Sequence, residues 1–143
     1  MLKGIDPLLG PDLLHALAEM GHGDELTIVD ANFPAVSTAR RLIRIDGIGA
    51  PAVLSAVLTL LPLDTFTDMP AAVMAVVGDP GAVPPPVREF QAILDGVAGR
   101  PVRVATLERH AFYERARAAF AVVATGERRF YGNILVTKGV IPP

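Results

Sequence analysis

Apolar positions in this chain fall into short runs whose period changes from helical to strand-like and back. Leu13, Leu14, Leu17 and Met20 recur at helical spacing behind Pro11 and Asp12, which predicts a helix from Pro11 to Met20 with Gly21 as its C′ residue. Leu26 to Val29 is a compact, partly β-branched run that predicts a strand closed by Asp30. Ala35 to Ala39 suits a short helix, and Arg40 to Asp46 alternates well enough for a strand. Ala50 to Leu61 reads as a helix that Pro62 stops. Ala71 to Val77 has no polar position, the mark of a strand buried on both faces.

Gly78-Asp79-Pro80-Gly81 followed by Pro84-Pro85-Pro86 predicts a surface loop. Behind it, Val87, Phe90, Ile93, Leu94 and Val97 define one face of a helix over 87–97. Val102 to Ala105 is the next expected strand, and Thr106 the expected cap of a helix with Phe112, Ala116, Ala119 and Phe120 facing inward. Arg109, Tyr113 and Arg117 share its polar face. The last strands are Ala121 to Ala124 and Asn133 to Thr137; the short connection predicts that they pair antiparallel.

Strands and helices thus alternate, the pattern of α/β layers around a largely parallel sheet. The segments flanking the proline-rich loop are too short for separate domains, so residues 1–143 form a single domain. Composition adds a partner: 51% hydrophobic residues and a mean hydropathy of +0.42 exceed what a domain of this size buries, which assigns part of the apolar excess to contacts between subunits. The longest uncharged run, Gly47 to Leu63, is interrupted by Pro51 and reads as a buried helix rather than a membrane span. A net charge of −2 with dispersed basic residues excludes nucleic acid as the main partner. The chain has no cysteine, so thiol chemistry and disulfides are excluded, and the first residues lack a signal-peptide pattern. A cytoplasmic location is expected.

Candidate chemistry concentrates between Met20 and Phe33, where His22 stands between Gly21 and Gly23 and Asp30 ends the following strand. Five residues of strand span roughly 16 Å. The imidazole and the carboxylate therefore share a site only if the glycine-flanked loop folds back, or if each serves a neighbouring subunit. Tyr131 and Asn133, with Gly132 between them, are expected on one side of an extended segment. A phenol and an amide together suit a ligand rich in hydroxyls. Arg109 at a helix start is a further candidate. No phosphate loop, dinucleotide fingerprint or GxSxG elbow is present. His22, Asp24, Glu25, Asp30 and His110 lack metal-ligand spacing, so neither metal nor cofactor is expected.

Taken together, Gly21-His22-Gly23-Asp24, Asp30-Ala31-Asn32-Phe33-Pro34, the segment Arg109 to Ala116 and Tyr131-Gly132-Asn133 resemble the RbsD/FucU family of sugar mutarotases, in order and over essentially the full chain. HGDE, DANFPA, AFYERA, TGER and YGNI resemble its L-fucose branch. The resemblance implies a single three-layer α/β domain with a mixed, mostly parallel sheet, assembled into ring-based homo-oligomers, commonly decamers. It also implies interconversion of the α and β anomers of L-fucose, with related aldoses such as ribose as further substrates, and a site at or near a subunit interface. On that likeness His22 is the proton donor, and Asp30, Arg109, Tyr131, Gly132 and Asn133 bind sugar. A non-catalytic sugar-binding module and a D-ribose pyranase are the alternatives. Anomer exchange protonates the ring oxygen while the anomeric hydroxyl loses its proton, a task for a group that titrates near neutrality.

Overall fold

The computed structural model describes Met1–Pro143. Its elements are α1 (Pro11–Glu19), β1 (Glu25–Val29), α2 (Ala35–Thr38), β2 (Leu42–Ile45), α3 (Ala50–Val57), β3 (Ala71–Met74), α4 (Pro85–Ala98), β4 (Val104–Leu107), α5 (Arg109–Ala118), β5 (Ala121–Thr125) and β6 (Ile134–Thr137). They build one six-stranded sheet in the order β2-β5-β1-β6-β3-β4. Five strands share a direction, and β6 runs against both its neighbours, β1 and β3.

Strand alternation sorts side chains into two cores. Leu26, Ile28, Ala71, Val73, Val123, Ile134 and Val136 point toward α1, α3 and α4, where Leu13, Leu17, Val53, Leu54, Phe90 and Leu94 complete the larger cluster. Val29, Ala72, Met74, Val122, Ala124 and Leu135 face the other way, under α5 (Phe112, Ala116) and α2 (Ala35). The result is the expected three-layer, mixed and mostly parallel α/β domain. No helix is long and apolar enough to cross a membrane.

Several local expectations are corrected. Gly21 does follow the Met20 cap as the C′ residue, but it is not left-handed; that conformation falls to Gly23 at φ +86°, while the Gly21 N–H donates to Asp24 Oδ2 at 2.7 Å. α3 ends at Val57, and turns carry the chain on to Pro62. The prolines of the predicted loop instead open α4, where a missing N–H costs nothing in the first turn. Val97, assigned to that helix's inner face, is exposed. β4 starts two residues later than predicted, so Thr106 lies in the strand and Glu108 caps α5 by accepting from the N–H groups of His110 and Ala111. β3 stops at Met74, after which the chain turns at Val76–Asp79 through Gly78 at φ +80°.

The largest correction concerns the last two strands. They run in opposite directions but do not pair, because β1 lies between them. Residues 126–133 must therefore step across two strand spacings, roughly 10 Å, and pass over the carboxyl end of β1, where Asp30 sits. That crossing builds the site.

Candidate functional site

At the carboxyl edge of the parallel strands, the chain gathers groups from four places. Asp30 follows β1, Asn133 precedes β6, Met74 ends β3, and Arg109 opens α5 just beyond β4. Ligands of open α/β sheets bind at this edge. These residues, with Asn32, Phe33, Val77, Tyr113, Phe130 and Tyr131, line an open cleft of about 340 Å³. Asp30 also borders a wider groove beside α2, but the charged pair there, Arg44 and Asp46, is engaged with itself at 2.9 Å.

Asp30 and Asn133 hold each other reciprocally. The Asp30 N–H donates to Asn133 Oδ1 at 2.9 Å, and Asn133 Nδ2 donates to Asp30 Oδ2 at 2.9 Å. Both residues are buried. Burial pushes the Asp30 carboxyl above its ordinary range, against the Asn32 N–H and the Asn133 amide, which favour the charged form. The result is a carboxylate that is desolvated, fixed in direction and still bordering the cleft.

Tyr131 reaches the cleft by a different route from the one expected. It lies in a turn before β6 at φ +61°, the only non-glycine residue in the left-handed region, and its hydroxyl accepts the Val77 N–H at 3.1 Å. Tyr131 and Asn133 thus meet in one cleft through a turn, not through strand alternation. A left-handed non-glycine residue costs on the order of 1–3 kcal/mol and persists where its surroundings over-determine it. Here Gly132 supplies the close packing. A Cβ at that position would stand 2.5 Å from Glu127 Cγ and 3.5 Å from Asp30 Cβ.

Glu127 is the residue that pattern reading missed. Its main-chain carbonyl accepts the Ala31 N–H at 2.9 Å, directly behind Asp30. Its buried carboxylate accepts from Arg129 Nε and Nη2, both at 2.9 Å, and Arg129 also reaches Glu89 on α4. Arg129 holds the Glu127 carboxyl down to about 2, although burial opposes the charge; the Arg129 and Ala50 N–H groups assist. A buried glutamate two residues before an arginine on a turn carries no periodic signal. Only the crossing of residues 126–133 over β1 gives it a role.

His22 is not in this cleft. The loop before β1 does not fold back: the Gly23 N–H donates to Lys138 O at 2.8 Å, and Lys138 Nζ donates to Leu17 O and Met20 O at the end of α1. These bonds hold His22 at the opposite edge of the sheet, beyond the amino end of β1. There it meets a partner absent from the sequence reading. His22 Nε2 lies 3.1 Å from Oδ1 of Asp64, which is buried while the imidazole is exposed. Burial disfavours the Asp64 charge, but the Phe66 N–H, His22 and the Thr67 N–H together hold this carboxyl below its ordinary range. An ionised carboxylate only accepts, so the proton of a neutral His22 stays on Nε2, and Nδ1 is the nitrogen left to exchange protons. The Phe66 ring stands 5.1 Å from the imidazole. Asp64 lies 42 residues from His22, and only the return of β6 beside β1 brings them together.

The chain therefore carries two separate polar groupings, a cleft and an imidazole–carboxylate pair, on opposite sheet edges. No group of three or more His, Asp or Glu side chains is placed to share a metal ion.

Fold and cleft define a class first: a three-layer α/β domain with an open, carboxylate-bearing pocket at the carboxyl edge of its sheet. The comparisons then narrow it. Residues 3–141 match the model of the RbsD / FucU transport protein family, and the chain belongs to that family. It is 51% identical to the fucose mutarotase of Homo sapiens, over 98% of this chain and 94% of that protein. It is 49% identical to the L-fucose mutarotase of Actinobacillus pleuropneumoniae serotype 5b (strain L20), over 99% of each. Among solved structures, the fucose mutarotase of Streptococcus pneumoniae in complex with L-fucose superimposes with a TM-score of 0.91 at 42% identity, covering 99% of this chain and all of that one.

Proposed function

We propose that this chain is an aldose mutarotase that interconverts the α and β pyranose anomers of L-fucose. The observation that carries the reading is the cleft itself. In a chain similar over its whole length to fucose mutarotases, Asp30, Arg109, Tyr131 and Asn133 converge on one cavity of pyranose size. Arg109 and the Asn133 amide donate to sugar hydroxyls, the Asp30 carboxylate accepts from them, and the Tyr131 hydroxyl, whose oxygen is engaged by Val77, donates. Gly132 allows the backbone to approach.

The acid–base step belongs to His22. With Nε2 committed to Asp64, protonated Nδ1 gives its proton to the ring oxygen as the C1–O bond breaks, the anomeric hydroxyl passes its own proton to water, and reclosure reverses both transfers. The open-chain aldehyde turns about its C1–C2 bond and recloses on the other face. Positioned acid–base catalysis of this kind contributes about 10²–10⁴-fold. Because the two half-sites lie at opposite edges, a complete site requires His22 and Asp64 of a second copy beside the cleft of the first. A closed ring of copies, decameric by family likeness, satisfies that requirement for every cleft. The exposed side chains of Val36 and Phe66 supply apolar surface for such contacts. We place the enzyme in the cytoplasm, consistent with a cysteine-free chain.

Saturation-transfer NMR on L-fucose tests the activity. Catalytic amounts of protein are expected to transfer saturation between the α and β anomeric protons, in chelator and without nucleotide. Exchange at the buffer rate with folded protein refutes the reading.

A further inference from the structure

The cleft is not polar throughout. Two of its lining residues are large apolar side chains left open to solvent, Val77 at 63% and Phe130 at 75% exposure, and a third, Met74, is buried at the end of β3 beneath them. Exposed apolar side chains scattered singly are ordinary, but several on the rim of one pocket mark contact with a ligand or a partner. These two are also held in place. Val77 lies in the tight turn closed by the Val76–Asp79 bridge, and Phe130 immediately precedes the left-handed Tyr131. The turns are fastened to each other by the Val77 N–H on the Tyr131 hydroxyl, the group that also faces the cleft. Asp30 and Asn133 occupy the β1–β6 side, and Arg109 stands beyond β4, so Met74 at the end of the intervening β3 and Val77 in the turn that follows it separate the two polar regions.

Resting on the mutarotase reading, we infer that Met74, Val77 and Phe130 form a specificity-determining apolar wall for the carbon outside the pyranose ring, which accepts a methyl group and disfavours a hydroxymethyl. The chemistry is a difference of one substituent. L-fucose carries CH3 at C5, L-galactose carries CH2OH there, and D-arabinose, with the same configuration at its other ring carbons, carries only hydrogen. The methyl gains burial against the wall, the added hydroxyl of L-galactose finds no partner on it, and D-arabinose does not reach it. Apolar surfaces discriminate by one methyl, or against one added hydroxyl, by about 10–200-fold. A partly open wall belongs at the lower end of that range.

The experiment measures kcat/KM for anomer exchange of the three sugars with wild-type protein, Val77→Thr and Phe130→Ala, and records oligomer size for each. Val77→Thr keeps shape and the backbone N–H while replacing a methyl by a hydroxyl. Wild type is expected to prefer L-fucose to both other sugars by about tenfold. Each variant is expected to lower the L-fucose to D-arabinose ratio about threefold or more, with D-arabinose itself nearly unchanged. Val77→Thr is expected to narrow the gap to L-galactose as well. A parallel fall on all three sugars, or an unchanged ratio, overturns the wall and assigns these side chains to packing alone. Wild-type protein inactive on every sugar refutes the mutarotase reading, and this inference with it.

Discussion

An imidazole on an exposed, glycine-flanked loop has no fixed tautomer of its own, and in this chain the Asp64 carboxylate supplies one. His22→Ala is expected to lower L-fucose exchange by about 10²–10⁴-fold. Its thermal midpoint should stay near the wild-type value, since the side chain is about half exposed. Asp64→Asn keeps one of the two oxygens that accept the Phe66 and Thr67 N–H groups but no longer dictates the proton position, so a smaller loss, about tenfold, is expected. Saturation-transfer rates and melting curves on the same samples check both; wild-type exchange by His22→Ala removes it from the mechanism. Gly132 is constrained by space rather than chemistry. Gly132→Ala drives a Cβ into the pinned Glu127 side chain and is expected to weaken L-fucose binding at least tenfold, since displacements of about 1 Å cost up to about 100-fold. Titration calorimetry reads that change.

Residues 126–133 act as one element although they contain neither helix nor strand. Glu127 joins them to Ala31, to the amino end of α3 and, through Arg129, to α4. With its folded carboxyl near 2 and the ordinary value at 4.5, the unfolded chain takes up a proton first as pH falls. The Glu127 contribution is therefore complete above about pH 4.5 and is lost as pH falls toward 2. Glu127→Gln should be less stable at pH 7 by on the order of 2 kcal/mol, a magnitude typical of hydrogen bonds to charged groups. The gap to wild type should narrow at pH 3. Urea unfolding at the two pH values measures this, and a gap that widens in acid contradicts the assignment. Asp30 has the opposite sign. Its carboxyl is raised by burial, so its ionisation costs stability as pH rises past its ordinary range.

For the whole molecule, separation of His22 from the Asp30 cleft by the length of β1 yields a prediction that no single-chain site shares. His22→Ala lacks the acid but keeps its cleft; Asp30→Asn keeps the acid but has an impaired cleft. On the proposed shared site, the two co-expressed in equal amounts are expected to form mixed oligomers in which about a quarter of the sites combine an intact cleft with an intact His22, by random head-to-tail assembly. Exchange activity well above either variant alone is expected, together with a light-scattering mass several times the 15.1 kDa of one chain. An active monomer, or mixtures no better than their components, rejects the shared site.

Much of this was legible along the chain because local physics dictates it. The apolar period of Leu13, Leu14, Leu17 and Met20, the polar-free run at Ala71, and the alternation of helix and strand each follow from burying one face of an element. The candidate residues Asp30, Arg109, Tyr131 and Asn133 were visible as side-chain chemistry, and they do line one cleft. What the chain could not disclose by itself is which strand lies between which. The insertion of β1 between β5 and β6 turned an expected hairpin into a crossing loop, gave Glu127 its place and brought Asp64 to His22 across 42 residues. It also put His22 and Asp30 at opposite edges of the sheet. Pairing order depends on contacts far apart in sequence, whose free energy is shared across the whole core, and only the assembled tertiary structure decides it.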